Sequence, residues 1–268
     1  VSAKAGKCSE NCAFCAQSSH YPTEVDSYSL RKATEIVEKA ERAGRAGAEM
    51  FGIVTSGKRV RARKEWAVIF RAVRGINELG LKACVSPGII DREQAEALKA
   101  AGLYRYHHNL ETSRSFFGKI CTTHDYDEDV EAVRAARSAG LSTCCGGIIG
   151  LGEGVGHRIE LALTLRDLGV DSIPRNILNP IKGTPLGRTP PLPPLEILTT
   201  IAIFRFLLPD RDIKLCGGKE KNLRQLLPLG LVAGANSLMI GNDSTPPGRD
   251  AGLDREMIED LGLLATRE

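Results

Sequence analysis

Residues 8–15 read Cys-Ser-Glu-Asn-Cys-Ala-Phe-Cys, which places Cys8, Cys12 and Cys15 in a C-x3-C-x2-C spacing. Thiolates are the usual protein ligands of iron–sulfur clusters. A loop with these two gaps can wrap three sulfurs around one corner of a cube and leave the fourth iron without a protein ligand. The spacing therefore predicts a [4Fe–4S] cluster held by these three cysteines. Its open iron indicates chemistry rather than a structural role.

Structural zinc and a disulfide framework are the alternatives for these cysteines. Zinc sites commonly close with paired knuckles, but the next cysteine after this loop is Cys84. Eight cysteines in 268 residues are too sparse for a disulfide-stapled secreted domain. The sequence shows neither a signal peptide nor an apolar run long enough to span a membrane. We therefore expect reduced thiols, a cytoplasmic location and no membrane association.

The length of the chain favours one large domain. The 268 residues suit a single α/β barrel domain over 1–268, and the abrupt start inside the first strand leads us to expect a missing N-terminal portion. The 36 basic and 33 acidic residues nearly balance. Such a balance gives no reason to expect nucleic acid as a partner, and the few aromatic residues argue against a base-stacking surface.

Short apolar runs alternate with helical periodicity along the whole chain. Strands are predicted at about 1–6, 49–55, 81–86, 103–109, 141–149, 171–178, 212–217 and 235–240. Helices are predicted at 28–46, 63–79, 91–101, 127–139, 155–168, 194–208 and 220–229. Eight strands that alternate with helices predict an α/β fold closed as a (β/α)8 TIM-type barrel. The cysteine loop then follows the first strand, at the carboxyl-terminal face where barrels place their sites.

Three further cysteines lie on three separate predicted strands: Cys84, Cys144 and Cys216. Because side chains alternate along a strand, Cys144 and Cys145 cannot both face the lumen, whereas Lys214 and Cys216 share a face. Three inward thiolates could hold a second metal centre, and the alternative is that they are buried apolar residues. Cys121 and Cys145 are interpreted as structural.

The arrangement C-x3-C-x-aromatic-C resembles the signature of radical S-adenosylmethionine (SAM) enzymes. Further segments narrow the resemblance to the biotin synthase family: Tyr106-His107-His108-Asn109-Leu110-Glu111-Thr112, Cys144-Cys145-Gly146-Gly147-Ile148-Ile149-Gly150-Leu151-Gly152-Glu153, Pro174-Arg175-Asn176-Ile177-Leu178, Lys182-Gly183-Thr184-Pro185-Leu186 and Ala233-Gly234-Ala235-Asn236-Ser237. The similarity covers essentially the whole chain in order. It implies a radical SAM barrel that binds SAM at its open iron and inserts sulfur into dethiobiotin from an auxiliary iron–sulfur cluster.

The resemblance also implies roles for single residues. Asn109 and Glu111 correspond to residues that bind the SAM ribose and its surroundings, and Val54 is placed beside the same cofactor. Asn176 resembles the amide that binds the ureido ring of dethiobiotin, since an amide can donate and accept at once. His107 stands where many relatives have a substrate-binding Asn. No side chain is expected to act as an acid or a base.

Four departures concern the cofactors. The best-known biotin synthases hold a [2Fe–2S] auxiliary cluster with three cysteines and one arginine. Here Phe51 stands at the place of one such cysteine, Lys214 stands at that of the arginine, and Cys216 is additional. We therefore expect Cys84, Cys144 and Cys216 as ligands of an auxiliary cluster of altered nuclearity, with room for four irons. Asp129 aligns with an arginine that pairs with the SAM carboxylate, and Arg158 or another cation is the candidate substitute.

The predicted activity is radical SAM conversion of dethiobiotin to biotin. The resemblance implies a reductant such as flavodoxin or ferredoxin, and a homodimer. Two alternatives remain. One is a radical SAM relative that performs carbon-skeleton rearrangement or metallocofactor maturation without an auxiliary cluster. The other is a non-enzymatic cluster carrier or metal-binding protein.

Overall fold

The computed structural model of the protein describes residues 1–241 and 249–265. Its strands are β1 (Ser2–Lys4), β2 (Met50–Thr55), β3 (Lys82–Ser86), β4 (Arg105–His107), β5 (Ser142–Cys144), β6 (Gly147–Ile149), β7 (Ser172–Ile177), β8 (Asp212–Leu215) and β9 (Ser237–Leu238). Its helices are α1 (Ala33–Arg45), α2 (Arg63–Glu78), α3 (Arg92–Ala100), α4 (Arg114–Phe117), α5 (Tyr126–Ser138), α6 (Val155–Asp167), α7 (Pro194–Leu207), α8 (Lys219–Leu223), α9 (Leu227–Val232) and α10 (Ala251–Asp260). None of the helices in these two ranges is both long enough and apolar enough to cross a membrane.

The strands form one parallel sheet in the order β1-β2-β3-β4-β5-β7-β8-β9, and β6 pairs with β7. The pair β5 and β6 occupies the single strand predicted at 141–149, so the sheet has eight strand positions. The predicted (β/α)8 TIM-type fold is therefore confirmed. Among the described residues no ladder joins β1 to β9, so the curled sheet stays open along that edge.

Two glycines cause the break between β5 and β6. A Cβ added at Gly146 would lie 2.2 Å from the carbonyl oxygen of Pro174, and one at Gly147 would lie 2.3 Å from that of Glu111. No side chain fits at either contact. The strand can therefore bend here and bring the backbone of β6 against both neighbours.

The outer face of the sheet packs against the helices in two apolar clusters. One cluster joins β5–β8 to α5–α7 and includes Cys145, Ile173 and Leu215. The other joins β2–β4 to α1–α3 and includes Ile53 and Val85. Because side chains alternate, the residues between these positions face the lumen. Cys145 thus points to the helical layer, as predicted.

Helix boundaries differ from the predictions at three places. The first helix begins at Ala33 rather than near residue 28. The helix predicted at 220–229 is divided into α8, a 3₁₀ turn at Arg224–Leu226 and α9, because Arg224 takes a left-handed φ of 54°. Helices α4 and α10 were not predicted.

Candidate active site

The first cysteine loop follows β1 directly and is closed by its own backbone. The amide of Cys8 donates to the carbonyl of Gln17 at 2.9 Å, and the amide of Cys15 donates to the carbonyl of Cys12 at 2.9 Å. The preceding turn uses Gly6 and Lys7 at positive φ. These bonds fix the backbone around Cys8, Cys12 and Cys15, which we call the mouth triad.

The loop spans the mouth of the barrel and is anchored on its far side. The amide of Ala13 donates to the carbonyl of Ile120 at 2.9 Å, and the amide of Leu186 donates to the carbonyl of Ala13 at 3.2 Å. Phe14 packs into a small apolar cluster with Phe116 and other residues of the mouth loops. The aromatic residue before Cys15 thus serves as an anchor, and the Pro-rich 184–194 segment contacts the same loop through Leu186.

The spacing of the thiols suits a cluster better than a single ion. Sulfurs that share one zinc lie roughly 3.8 Å apart, since each is about 2.3 Å from the metal. In the described part of the chain, the one group that brings three His, Cys, Asp or Glu ligand atoms within 4.8 Å of one another contains none of the mouth triad. Burial raises the pKa of Cys15 to about 11, and the neighbouring Cys8 thiol adds to this shift. The three sulfurs of the mouth triad therefore do not all lie within 4.8 Å of one another, as sulfurs that share one zinc would.

The second set of cysteines lies deeper in the barrel. Strand register pairs Cys84 with Arg105 and His107 with Cys144, and it places Pro174 opposite Lys214. Residues at one level of a parallel sheet share a face, so Cys84, Cys144 and Lys214 point into the lumen. Cys216 lies two positions beyond Lys214 and shares its face. We call Cys84, Cys144 and Cys216 the lumen triad.

Lys214 lies near all three thiols of the lumen triad, close enough for their charges to affect its pKa. Burial raises the pKa of Cys84 to about 12, and the neighbouring Cys144 thiol raises it further while Lys214 lowers it. The pKa of Lys214 is raised: burial would lower it, but the thiols of Cys144, Cys216 and Cys84 together outweigh burial. An ammonium beside three thiols favours their thiolate forms, which are the forms that bind iron.

The structure corrects the position assigned to the lost auxiliary ligand. Phe51 is buried in the apolar cluster on the outer face and does not reach the lumen. The lumenal residue opposite Cys84 is Gly52, and a Cβ added there would meet nothing within 4 Å. The sequence alignment was wrong by one residue, which reverses the face of a strand. Gly52 therefore leaves open space beside Cys84.

Strand β4 and the segment after it connect the two triads. His107 Nε2 lies 3.1 Å from Asn109 Oδ1, and Asn109 Nδ2 donates to Glu111 Oε2 at 3.4 Å. At the lumen end of this segment, the charge of Lys214 affects the pKa of His107. At the mouth end, Glu111 affects the pKa of Cys12 and of Cys15. The three side chains therefore form a polar line from the lumen triad to the mouth triad.

Burial sets the protonation of both ends of this line. Burial lowers the pKa of His107 to about 4, although the hydrogen bond from His107 Nε2 to Asn109 Oδ1 acts in the opposite direction. It raises the pKa of Glu111 to about 8 in the metal-free chain, with a further contribution from Asp129. Glu111 also takes a left-handed φ of 61°, which is strained for a residue with a Cβ. Such strain is typical of residues held for a functional purpose.

The remaining predicted binding residues also border the lumen. The Oδ1 atom of Asn176 accepts a hydrogen bond from the amide of Gly217 at 3.0 Å, which fixes its amide and leaves its NH2 group available to a ligand. Val54 shares the lumenal face of β2 with Gly52 and is 37% exposed. Both residues lie toward the carboxyl ends of their strands.

The expectation for Arg158 is wrong. Its guanidinium is buried and donates to Glu153 at 2.6 Å, and it also lies 2.8 Å from Glu196. It is thus fully occupied on the helical side. Asp129 instead contacts two histidines: His108 Nε2 lies 2.7 Å from its Oδ1, and His124 Nε2 lies 3.3 Å from its Oδ2. The side chains that contact this acid are therefore imidazoles.

Sequence reasoning missed a polar network behind the mouth triad. His124 Nδ1 lies 2.7 Å from Glu10 Oε2 and 3.3 Å from the Sγ of Cys121. Burial would lower the pKa of His124, but hydrogen bonds to Asp129 and Cys121 raise it to about 11. Cys121, interpreted as structural, is close enough to Cys12 for each thiol to affect the pKa of the other. The adjacent Cys-Thr-Thr-His segment at 121–124 carries most of the donors and acceptors of this network.

Comparison with known proteins identifies the family. The family model described as Radical SAM superfamily matches residues 4–165, and that described as Biotin and Thiamin Synthesis associated domain matches 174–264. The biotin synthase of Geobacter sulfurreducens is 53% identical over 264 residues, covering 98% of this chain and 80% of the relative. The chain belongs to the biotin synthase family. Another biotin synthase, from Geotalea uraniireducens, is 52% identical over 266 residues, with 99% and 81% covered.

Solved structures agree on the fold. Methylornithine synthase superposes with a TM-score of 0.82 at 22% identity, covering 100% of this chain and 82% of its own. A maturase of the [FeFe]-hydrogenase gives 0.81 at 16% identity, covering 99% of this chain and 63% of its own. At these identities the likeness shows the barrel alone. The biotin synthase family is assigned by sequence.

Proposed function

We propose that this protein is a radical SAM enzyme of biotin synthesis that inserts sulfur into dethiobiotin. The observation that carries the proposal is the presence of two separate cysteine triads at two levels of one barrel. The mouth triad suits the SAM-binding [4Fe–4S] cluster, and the lumen triad suits an auxiliary iron–sulfur cluster. When bound, these groups supply reductive cleavage of SAM, hydrogen abstraction and the sulfur atom.

The chain's own residues bind, orient and exclude water. Glu111 and Asn109 sit next to the mouth triad, where an acid and an amide can bind the hydroxyl groups of a ribose. His107 is neutral at pH 7 because burial lowers its pKa to about 4. A neutral imidazole offers one donor and one acceptor. His107 and the NH2 group of Asn176 can therefore both bind a ureido ring between the triads.

We assign Cys84, Cys144 and Cys216 as the auxiliary ligands. Lys214 lies among these thiols, and its ammonium offsets their negative charge. The space beside Gly52 supports an auxiliary cluster of four irons rather than two, because no side chain fills that corner. Lys214 then acts as a counter-charge and not as a ligand.

Three finer proposals follow from the same assignment. A one-electron donor such as flavodoxin or ferredoxin reduces the mouth cluster. The protein works in the cytoplasm, where the eight free cysteines stay reduced. It functions as a homodimer, and an exposed apolar residue such as Phe206 of α7, 86% exposed, is compatible with a partner surface.

The test compares two adjacent cysteines. Cys144→Ala removes a lumenal thiol, whereas Cys145→Ala removes a buried thiol from the outer face and serves as the matched control. After anaerobic reconstitution, iron, 5′-deoxyadenosine and biotin are measured with dethiobiotin, SAM and a reductant. We expect Cys144→Ala to lose auxiliary iron and biotin formation yet retain 5′-deoxyadenosine formation. An equal iron count in wild type and Cys144→Ala contradicts the ligand assignment.

The same assay distinguishes sulfur insertion from the alternative functions. A radical SAM relative that rearranges a carbon skeleton or matures a metallocofactor has no need of a lumen cluster. Such a protein gives 5′-deoxyadenosine without biotin, and its iron content does not change in Cys84, Cys144 or Cys216 variants. Failure to form 5′-deoxyadenosine at all favours a cluster carrier.

A further inference from the structure

The segment that joins β2 to α2 and begins that helix carries a dense run of positive charge. Residues 58–64 read Lys-Arg-Val-Arg-Ala-Arg-Lys, and we call them the basic rim. They include five of the chain's 36 basic residues and no acid, which leaves 31 basic residues against 33 acidic ones in the rest of the chain. The positive excess of the whole chain therefore comes from this one segment.

The basic rim lies at the mouth of the barrel, beside the loop of the mouth triad. Just before it, the Ser56 hydroxyl donates to the carbonyl of Gly6 at 2.9 Å, two residues ahead of Cys8. Within it, Lys58 Nζ donates to Glu128 Oε1 at 2.8 Å, in the first turn of α5. The rim thus extends from the first cysteine loop toward α5, along one side of the mouth.

Hydrogen bonds hold the backbone of the basic rim in one conformation. The amide of Ile89 donates to the carbonyl of Lys58 at 2.8 Å. The amide of Val60 donates to the carbonyl of Pro87 at 3.0 Å. Val60 is buried, and Trp66 Nε1 donates to its carbonyl at 3.2 Å. The charged side chains therefore project from a fixed loop, which reduces the entropy that a binding partner must order.

Three cations of the basic rim have no acidic partner in the chain as the structure describes it. Arg61, Arg63 and Lys64 are exposed, and none of them forms an ion pair with a residue in 1–241 or 249–265. The acid that follows them, Glu65, is already paired with Lys4 at 2.9 Å. The charge of these three side chains is therefore available to a partner.

Two of these charges are placed where they oppose the fold. Arg63 and Lys64 are the first two residues of α2, and Ala62 at the N-cap provides no side-chain hydrogen bond. Cations at a helix N-terminus are unfavourable, because the aligned peptide dipoles leave partial positive charge there. The following helix, α3, begins instead with a capping box from Asp91 and Gln94. Such exceptions to a local rule are expected at functional sites.

We propose that the basic rim is the docking surface for an acidic carrier protein that delivers single electrons to the mouth cluster. The inference rests on the proposed function, which requires one electron from outside the chain for each SAM cleaved. In each encounter one electron leaves the carrier and enters the cluster. Electron transfer weakens steeply with distance, and the rim places the carrier beside the loop that contains Cys8. Charge complementarity suits such a brief encounter, because it speeds association without requiring a large interface.

The test compares two charge reversals in neighbouring parts of the chain. Arg61→Glu/Arg63→Glu reverses two exposed cations of the basic rim. Arg71→Glu/Arg74→Glu is the matched control, since both arginines are exposed and lie roughly 12–17 Å farther along α2. Because an acid suits the first turn of a helix, we expect the rim variant to fold as wild type does. Flavodoxin serves as the acidic carrier, and reduced methyl viologen serves as a small cationic reductant.

Two readouts are taken on the reconstituted proteins. Isothermal titration calorimetry measures the affinity for oxidised flavodoxin, and chromatography measures 5′-deoxyadenosine formed from SAM and dethiobiotin with each reductant. At low salt we expect the rim variant to bind flavodoxin about tenfold more weakly and to lose flavodoxin-driven cleavage in proportion. Its viologen-driven rate and both properties of the control stay near wild type. High salt should remove most of the difference, because it screens exposed charges.

Four outcomes overturn the proposal. Equal flavodoxin affinity in the rim variant and wild type places the docking surface elsewhere. An equal loss in the control shows an effect of net charge rather than of position. Loss of viologen-driven cleavage as well shows that the rim acts on the SAM site itself. Tighter binding of a single-stranded oligonucleotide than of flavodoxin, lost in the rim variant, assigns the surface to nucleic acid.

Failure of the proposed function gives a different result. If neither reductant yields 5′-deoxyadenosine in wild type, the proposed reaction is contradicted, while calorimetry still decides whether the basic rim binds the carrier. If viologen drives cleavage but flavodoxin neither binds nor drives it, the docking surface is contradicted and the proposed function stands.

Discussion

The mouth triad and the lumen triad bring three thiols together by opposite means. The mouth triad comes from one loop of eight residues, and backbone hydrogen bonds of that loop position it. The lumen triad comes from three strand positions distant in sequence, and only the curl and register of the sheet bring its members together. A local site can be recognised from spacing alone, whereas a site built by strands requires the fold first.

The largest effect is expected for Cys12→Ala, which tests whether the two triads bind their clusters independently. Because the mouth triad is local, this change should remove the mouth cluster and all 5′-deoxyadenosine formation, while the lumen triad still takes up iron. Iron analysis and chromatography of the SAM products check both statements. Loss of lumen iron together with mouth iron would show that the two sites are not independent.

The next test fills the space beside Cys84. Gly52→Leu projects a side chain into the lumen, so we expect near-complete loss of auxiliary iron and biotin, with 5′-deoxyadenosine formation retained. Gly52→Ala is the control, because its Cβ meets nothing within 4 Å. Normal auxiliary iron in Gly52→Leu would place the cluster elsewhere.

A third test concerns the acid beside the mouth triad. Burial raises the pKa of Glu111 to about 8 in the metal-free chain, so the folded state holds its proton more tightly than the unfolded state. This contribution to the free energy of unfolding is complete below about pH 4.3 and is lost as pH rises toward 8, by on the order of 2–4 kcal/mol. Urea unfolding of the metal-free protein across this range measures it. Glu111→Gln should remove that part of the slope, and an unchanged slope contradicts the buried protonated acid.

The smallest expected effect is a change in the free energy of unfolding caused by a substitution on the outer face of β7. Arg175 is 1% exposed and faces the helices, its guanidinium lies 4.0 Å from the ring centroid of Phe204, and none of its three guanidinium nitrogens has a hydrogen-bond partner among the described residues. Arg175→Leu should raise the free energy of unfolding by about 1–3 kcal/mol. Arg158→Leu is the matched control and should lower it, because Glu153 would lose its partner. Destabilisation by Arg175→Leu would mean that its charge is satisfied.

Features that depend on nearby residues were predicted correctly from the sequence, whereas features that depend on contacts between distant segments were not. The mouth triad, the (β/α)8 fold and the outward direction of Cys145 follow from spacing and alternation, which are local properties. The error at Phe51 arose because a one-residue shift cannot be detected without strand register. The proximity of Cys121 to Cys12, and the imidazoles around Asp129, depend on how the loop after α4 meets the first loop. No periodicity in the sequence encodes that meeting.

The adjacent cysteines of β5 have a practical consequence for assembly. A slip of this strand by one residue would replace the sulfur of Cys144 in the lumen by that of Cys145, so a misassembled barrel would still offer three thiols there. The amide of Thr143 donates a hydrogen bond to the carboxylate of Asp171 at 2.7 Å, and this bond stabilises the observed register of β5. Metal content alone therefore cannot certify a correctly formed enzyme, and quality control of purified samples needs a probe of strand pairing as well.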